Sequence, residues 1–395
     1  MNRYIDPAYK SEDSLVLRYC KGMSFDGLTM DDLKAVSLRE GALIFRLLDY
    51  KGVTVYLADE SSLMASGTFK ALEACFTMAL CKKKKYHRVV FSSGANLGSA
   101  LTLYGQKAGV ETFFFHPENT SWKLDRAIFD SPSAHLISAD KPEKEVKKAA
   151  LLFAEISGLK HIPEMEWRFP ATGLRALFVF EFIVRERVRF DWISQAVCAG
   201  YGPIGFYNMA VKLISEGAVN KKDVPKFLGI QQEALSPMVK AWQKRHSQIQ
   251  PEDIVCACDE LLDQTLYNTN PDSSYPILYR HLLDFGGDLC PLNKGEYETH
   301  LPLLLEGLAS ADINLNKREI AGREEIIENA GLINLSGTLK AIDTGLIRKG
   351  ETVLSFFTGG AGSYSGKEAV PEHEIKKEDD IESAVRDYLS RMRVE

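Results

Sequence analysis

A lysine in the first turn of a predicted helix is the residue of this sequence best suited to nucleophilic chemistry. Residues 65–70 read Ala-Ser-Gly-Thr-Phe-Lys, so Ser66 or Thr68 can cap the helix that carries Lys70. The positive end of the helix dipole disfavours a second positive charge, and an amine placed there loses its proton more easily. Such a lysine is suited to form a Schiff base, although a surface lysine behind a helix cap is the simpler alternative.

A small-residue turn between a predicted strand and a predicted helix is the second candidate. Residues 91–98 read Phe-Ser-Ser-Gly-Ala-Asn-Leu-Gly. Ser93, Gly94, Ala95 and Asn96 bring a hydroxyl, an amide and free backbone N–H groups to the helix start, which suits a carboxylate or phenolate oxygen. Ordinary strand-to-helix turn chemistry explains the same residues equally well.

A glycine pattern near the middle of the chain indicates a phosphate site. The pattern Gly-x-Gly-x-x-Gly lies between a predicted strand and a predicted helix, which is the context that it requires. Its residues are Gly200, Tyr201, Gly202, Pro203, Ile204 and Gly205. A dinucleotide site needs an acidic residue about twenty positions further on, where this chain has Gln231 and Gln232. We therefore predict one phosphate at a helix N-terminus.

The hydroxyl of Thr358 is a fourth candidate, at the end of a predicted buried strand over 352–357. The nearby Lys367 suggests a nucleotide P-loop, but Ala361 occupies the required first glycine position, and Glu368 replaces the hydroxyl residue that holds magnesium. Thr358 is better interpreted as a polar contact to a ligand in the crevice at the strand ends.

The elements around these segments alternate as in an α/β protein, with helices on both faces of a sheet. Strands are predicted at 53–57, 88–92, 111–116, 134–137, 195–199, 226–230 and 352–357. Helical spacing of apolar residues predicts helices at 68–80, 96–108, 143–156, 174–186, 206–215 and 323–328.

Composition limits the class of protein. The 395 residues are 45% hydrophobic with a formal net charge of −6, which predicts a globular protein of two domains and argues against nucleic acid as a partner. The seven cysteines lack disulfide or zinc-site spacing and fit a reducing, cytoplasmic compartment. No metal site is expected, and no apolar run is long enough for a signal peptide or a membrane span.

Taken together and in this order, the four segments resemble the fold-type II pyridoxal-phosphate enzymes, the tryptophan-synthase β-subunit group. Within this group they look most like threonine synthase and its relatives. The resemblance rests on the Phe-Lys helix start, the Ser-Ser-Gly turn, the glycine loop and the Thr-Gly-Gly strand end. It extends from roughly residue 50 to residue 365, which makes coincidence improbable.

The resemblance implies a role for each segment toward pyridoxal 5′-phosphate. Lys70 is expected to carry the cofactor as a Schiff base and to act as general base once it is freed. Asn96, or the backbone near Ala95, is expected to contact the pyridine hydroxyl. Residues 200–205 are expected to bind the phosphate, and Thr358 is expected to face the ring nitrogen. A neutral hydroxyl at that nitrogen favours elimination and replacement at Cβ or Cγ over transamination.

The resemblance also implies an activated, small amino-acid substrate. The first expectation is a threonine-synthase-like lyase that takes a phosphorylated amino acid, with Ser93, Gly94 and Ala95 in the substrate site. Arg168 is the candidate for an anionic leaving group, because a guanidinium matches phosphate bidentately, although a solvated helix-end charge is the alternative. A cysteate-synthase-like β-replacement and an amino-acid ammonia-lyase are the enzymatic alternatives. A binding protein that keeps the fold without turnover is the non-enzymatic one.

Three departures from the family pattern leave these alternatives open. Ala71 and Leu72 follow the lysine where threonine synthases usually have Asp-Arg, so a charge pair is missing. Ala95 is an extra residue in the asparagine turn. Residues 334–337, Asn-Leu-Ser-Gly, stand where relatives often show Glu-Pro-Ala-Ser.

The implied architecture has open twisted sheets in two domains. We expect a small domain over 55–165 and a large domain over 1–54 and 166–395, with the cofactor in the cleft between them. Relatives of this kind are often dimers, so a homodimer is expected.

Overall fold

Two twisted sheets and the helices around them form the framework of the protein. The computed structural model describes residues 2–21, 25–269, 271–320, 322–362 and 364–392. The strands are β1 (Leu43–Tyr50), β2 (Val53–Asp59), β3 (Arg88–Ser92), β4 (Glu111–Pro117), β5 (Ala134–Ala139), β6 (Lys160–His161), β7 (Trp192–Ala196), β8 (Lys226–Gln232), β9 (Gly287–Leu292), β10 (Lys317–Ile320), β11 (Arg323–Ile326), β12 (Thr352–Phe357) and β13 (His373–Ile375). The helices are α1 (Leu15–Tyr19), α2 (Met30–Lys34), α3 (Lys70–Lys83), α4 (Asn96–Ala108), α5 (Arg126–Phe129), α6 (Glu143–Ser157), α7 (Arg168–Glu186), α8 (Tyr201–Ser215), α9 (Pro237–Gln243), α10 (Tyr275–Phe285), α11 (Lys294–Ser310), α12 (Ala330–Asp343) and α13 (Ile381–Met392). The predicted α/β architecture is confirmed.

The larger sheet has the strand order β1-β2-β12-β7-β8-β9. β1 runs antiparallel to β2, and the other neighbouring pairs are parallel. Its central strand β12 is buried at five of six positions, because helices cover both faces of a parallel sheet. Such a strand shows as a continuous apolar run, which is why its limits match the predicted 352–357.

The smaller sheet has the order β13-β5-β4-β3-β6 and is parallel throughout. Helices α6 and α13 pack on it around Phe113, Phe115 and Phe153. Strand β13 and helix α13 come from the C-terminal part of the chain, which was expected in the large domain. The pairing of His373–Ile375 with β5 places this segment on the smaller sheet instead.

Two predicted elements are wrong. The strand predicted at 195–199 lies three residues earlier, at Trp192–Ala196, because the chain leaves the sheet before it starts α8. The helix predicted at 323–328 is largely the strand β11, which forms a hairpin with β10. A run of six charged and apolar residues fits the side-chain spacing of a helix as well as that of a strand. The strand forms because this segment pairs with β10, and Lys317 and Glu324 make an ion pair of 2.8 Å across the hairpin.

The carboxyl ends of strands from both sheets meet at one place. Gln195 of β7 and Thr358 after β12 come from the larger sheet, while Ser92 of β3, Pro117 of β4 and Ala139 of β5 come from the smaller one. Loops and helix starts at such strand ends are the usual place for a ligand in open parallel sheets.

Within the described ranges, no helix is both long enough and apolar enough to cross a bilayer. The same residues contain no group of three or more His, Cys, Asp or Glu side chains arranged to hold a metal ion.

Close packing of α4 on β4 predicts a stability effect at Gly98. A Cβ atom at this position would overlap the ring of Phe114, which is fully buried. We expect Gly98→Ala to lower the free energy of unfolding by about 1–3 kcal/mol, measured by chemical denaturation.

Gly307 in α11 is the matched control, because its Cβ would meet no atom closer than 3.6 Å. We expect Gly307→Ala to be neutral or to stabilise by up to about 1 kcal/mol through helix propensity. A Gly98→Ala protein as stable as the wild type would contradict this packing.

Candidate active site

Most of the predicted site residues line a single cavity of about 980 Å³ where the strand ends meet. The predicted residues in its wall are Lys70, Ser93, Gly94, Ala95, Asn96, Arg168, Gly200, Tyr201, Gly202 and Thr358. These residues come from separate parts of the chain, so the fold brings the four sequence segments together.

The glycine pattern forms the start of a helix. Gly200 is the N-cap of α8 with a φ of 74°, a left-handed conformation that favours glycine, and the helix begins at Tyr201. The N–H groups of Tyr201 and Gly202 lie in the first turn, where backbone donors have no partner within the helix. Residues 200–202 therefore offer donors and the positive end of a helix dipole to an anion in the cavity.

The second half of the pattern has a different place. Pro203, Ile204 and Gly205 are buried in α8 and do not line the cavity. A Cβ at Gly205 would overlap the hydroxyl of Thr172 on α7, and that hydroxyl donates to the carbonyl of Tyr201 at 3.2 Å. Glycine at 205 thus serves the contact between α7 and α8, which differs from the phosphate contact predicted for these three residues.

Lys70 is the first residue of α3, and its amine reaches a buried carboxylate. The side chain of Ser66 does not cap the helix, whereas Oγ1 of Thr68 accepts the backbone N–H of Lys70 at 3.3 Å. The N-cap position itself is Phe69, whose ring centroid lies 4.3 Å from Nζ. Nζ donates to Oε1 of Glu73 at 2.6 Å. The Lys70 side chain is 18% exposed, whereas Glu73 has no exposed surface.

Arg168 is the second partner of Glu73. Its Nε donates to Oε2 of that carboxylate at 2.5 Å, and its guanidinium lies 3.8 Å from the ring centroid of Tyr201. The alternative that Arg168 is a solvated charge is wrong, because its side chain is only 14% exposed and is paired. A carboxylate and a guanidinium therefore flank Lys70 even though Ala71 and Leu72 carry no charge.

The three charges set one another's ionisation. Burial lowers the pKa of Lys70, Glu73 acts in the opposite direction, Arg168 adds to the lowering, and the pKa stays below its usual value. Burial alone raises the pKa of Glu73, but Arg168 and Lys70 outweigh it, so this pKa lies below its usual range. The predicted fall in the pKa of Lys70 is confirmed in direction, with burial as the main cause. The site combines an amine that can lose its proton with a carboxylate that stays ionised.

Glu328 is a cavity residue that sequence reasoning missed. Asn96 donates through Nδ2 to Oε1 of Glu328 at 2.9 Å. The glutamate is 7% exposed, and Gly359 admits it because a Cβ there would overlap the carboxylate. Burial raises the pKa of Glu328 to about 7, with Lys123 lowering it and Asp263 raising it. The amide of Asn96 is thus already engaged with a carboxyl group that titrates near neutrality.

The segment 334–337, compared above with Glu-Pro-Ala-Ser, lies inside α12 rather than in the cavity wall. Asn334 is buried and donates to the carbonyl oxygens of Ser194 and Phe356, each at 3.0 Å. These residues join α12 to the sheet, and the cavity residues of this region are Glu328 and Ala330.

A buried ion pair holds the loop of residues 263–268, which lies along one side of the cavity. Lys123 and Asp263 pair with side chains 3% and 0% exposed. Asp263 also accepts the backbone N–H of Asn329 at 2.6 Å, next to Glu328. Thr265 and Asn268 of this loop line the cavity. The pair connects the loop to the segment that follows β4.

The signals for the missed residues differ. Glu73 is three positions from Lys70 on a helix, a spacing at which side chains meet, so the sequence contained a signal for it. Gln195, which lines the cavity, was predicted as the first residue of a strand, whereas it is the fourth of the five residues of β7. Glu328 is 232 residues from Asn96, and nothing in its own neighbourhood indicates the contact.

The donor set suits a phosphorylated aldehyde. The amine of Lys70 can bond a carbonyl carbon, the start of α8 can bind a phosphate, and the hydroxyl of Thr358 and the amide of Asn96 are neutral polar groups for a ring between them. The cavity has the size of a small-molecule site.

Comparison with known families gives a match over more than half of the chain. The profile of the family described as pyridoxal-phosphate dependent enzyme matches residues 43–272. Among curated proteins, cysteate synthase of Methanosarcina barkeri is 27% identical, over 79% of this chain and 72% of that protein. Cysteate synthase of Methanospirillum hungatei is 25% identical, over 80% of this chain and 71% of that protein.

Solved structures resemble the fold. Diaminopropionate ammonia lyase from Escherichia coli superposes with a TM-score of 0.61 at 14% identity, covering 86% of this chain and 91% of that one. The processed form of threonine deaminase isoform 2 from Solanum lycopersicum gives a TM-score of 0.54 at 13% identity, covering 85% of this chain and 84% of that one. At these identities the likeness concerns the fold alone.

Because the pKa of Glu328 is raised in the folded protein, part of the free energy of unfolding is predicted to depend on pH. Between the usual pKa of a glutamate and about pH 7, Glu328 keeps its proton in the folded protein and loses it in the unfolded chain. This contribution to the free energy of unfolding is therefore lost as the pH rises through about 7. We expect the melting temperature of the wild type to fall more between about pH 5 and about pH 8 than that of Glu328→Gln, because glutamine does not titrate.

The control is Glu306→Gln, at an exposed position of α11. It should keep the pH dependence of the wild type in the same thermal unfolding series. Parallel curves for the wild type and Glu328→Gln would contradict the assignment.

Proposed function

The chain belongs to the pyridoxal-phosphate-dependent enzyme family, and we propose that it catalyses a cysteate-synthase-like β-replacement on an activated serine. At the coarser level it is a pyridoxal-phosphate-dependent lyase that eliminates or replaces a group on an amino acid. When bound, pyridoxal phosphate supplies an electron sink for negative charge at Cα.

The residues of the cavity divide the binding of the cofactor among them. Lys70 would anchor the cofactor covalently, residues 200–202 would hold its phosphate at the start of α8, and Thr358 would provide a hydroxyl for the ring nitrogen. Asn96, held by its hydrogen bond to Glu328, would provide an amide for the pyridine hydroxyl. The fit is supported by the lining of one cavity by all of these groups.

Lys70 is also the proton carrier at Cα. Its amine is the only lysine nitrogen among the described residues that pairs with Glu73. With the cofactor and an amino acid bound, the free amine of Lys70 would remove the proton at Cα and later return one. Arg168 lowers the pKa of Glu73, so this carboxylate stays ionised and can hold the amine of Lys70 through its hydrogen bond.

The hydrogen bonding of Arg168 is the observation that supports a substrate with an anionic leaving group. Its Nε is bound to Glu73, whereas within the described residues its two Nη atoms donate no hydrogen bond. This free edge of a guanidinium in the cavity wall suits a tetrahedral or pyramidal oxyanion. The carboxylate of the substrate fits the start of α4, at Ser93, Gly94 and Ala95.

A β-replacement that forms cysteate uses anions at both stages. Cysteate is an alanine with a sulfonate on Cβ, so the Cβ–O bond of O-phosphoserine breaks with release of phosphate, and sulfite then forms the Cβ–S bond. The curated relatives named cysteate synthase support this reaction over the threonine-synthase-like one that was expected first from the sequence. The predicted homodimer and cytoplasmic location stay predictions.

A substrate panel with product identification by mass spectrometry tests the proposal. With O-phosphoserine and sulfite we expect cysteate and an equal amount of phosphate, and with Lys70→Ala we expect no product, because the base and anchor are lost. Arg168→Lys, which keeps the charge but not the planar edge, should raise KM for O-phosphoserine.

Three outcomes would contradict the proposal in different ways. Threonine from O-phosphohomoserine would restore the threonine-synthase-like reaction, and a keto acid with free ammonia would favour an ammonia-lyase. A spectral change without any product would favour a binding protein.

A further inference from the structure

We infer that Gln195 is a ligand of the cofactor phosphate, with its amide N–H groups held toward the start of α8 by the buried Arg175. This inference rests on the proposed position of the phosphate at residues 200–202. It adds a side-chain donor to a site that otherwise consists of backbone N–H groups.

The orientation of the Gln195 amide follows from its partner. A guanidinium has donors and no acceptor, so the atom that meets it must be the carbonyl oxygen of the amide. Nη1 of Arg175 donates to Oε1 of Gln195 at 2.8 Å. Nε2 of Gln195 therefore keeps both of its N–H groups for another partner.

Arg175 is itself fixed. Its side chain has no exposed surface, and its Nε donates to Oε1 of Glu60 at 2.6 Å, a carboxylate that is also fully buried. A buried pair of this kind tolerates little movement, since separation leaves an uncompensated charge. The pair thus holds Gln195 in one orientation from behind.

The free end of Gln195 lies at the proposed phosphate site. Gln195 is 5% exposed and lines the cavity together with Gly200 and Gly202. A Cβ at Gly202 would lie 2.6 Å from Nη1 of Arg175 and 2.8 and 2.9 Å from Nε2 and Oε1 of Gln195, so the missing side chain lets the guanidinium and the whole amide pack against the first turn of α8.

The unpaired donor indicates what it binds. Among the described residues Nε2 of Gln195 donates no hydrogen bond, and this nitrogen is accessible from the cavity rather than enclosed by the protein. The groups at this point that face the cavity are donors: the amide of Gln195 and the first-turn N–H groups of α8. Their common partner is an anion with several acceptor oxygens, which is the chemistry of a phosphate group.

The neighbouring strand provides a matched control. Gln231, near the end of β8, is 3% exposed, but both ends of its amide are paired inside the protein. Its Nε2 donates to the carbonyl of Val197 at 3.3 Å, and its Oε1 accepts the N–H of Val239 at 3.1 Å. Gln231 does not line the cavity.

The test compares pyridoxal phosphate with pyridoxal, which lacks the phosphate, by absorbance titration of the cofactor-free full-length protein. For Gln195→Leu we expect the Kd of pyridoxal phosphate to rise about 10-fold, the loss of one hydrogen bond to a charged group, while the Kd of pyridoxal is unchanged. For Gln195→Glu, which places a carboxylate beside the phosphate, we expect a rise of about 100-fold or more with the same selectivity. Gln231→Leu should leave the ratio of the two Kd values at the wild-type level.

The outcomes separate this inference from the proposed function. If the wild type binds both compounds equally well, the phosphate site at residues 200–202 fails, and the proposed function loses its cofactor placement. If the wild type prefers pyridoxal phosphate and Gln195→Leu keeps that preference, the inference about Gln195 alone is overturned. A variant that loses affinity for both compounds to the same extent would also overturn it, because the effect would then be structural.

Discussion

A carboxylate with no access to water, Glu73, holds the site together. A buried anion is stable only with compensation, and here Lys70 and Arg168 supply it from two directions. This pairing holds the amine of Lys70 at the cavity wall and connects α3 to the start of α7. Through the contact of Arg168 with Tyr201, it also connects both helices to α8. The reactive amine and the proposed phosphate site are therefore held in one rigid arrangement.

The two sheets explain why these groups can meet at all. Parallel strands bring their carboxyl ends to one edge, and the ends of β7, β12, β3 and β4 open onto the same cavity. Each end is followed by a turn or helix start with free backbone donors, which suits ligands that carry negative charge. An acidic protein can thus bind an anionic cofactor without a general positive surface, because the donors are local.

The sequence predicted the elements best where the chemistry is local. Helix α4 has the predicted limits, since a small-residue turn precedes it and apolar spacing runs to its end. The start of α8 was missed, because glycine and proline near the start of a segment are typical of loops. Here Gly202 and Gly205 leave room for Arg175 and Thr172 of α7. Because the strand was predicted at 195–199 and lies at Trp192–Ala196, Gln195 was expected at the start of the strand and not near its carboxyl end. The contact of Asn96 with Glu328 depends on the fold of the whole chain, and no local pattern predicts it.

Covalent attachment of the cofactor to Lys70 underlies every role proposed for the cavity, and borohydride reduction of the holoenzyme followed by peptide mapping tests it. We predict a stable pyridoxyl label on the peptide that contains Lys70, with loss of the cofactor absorbance band. A label on another lysine, such as the buried Lys123, or an active enzyme that takes up no label, would contradict it.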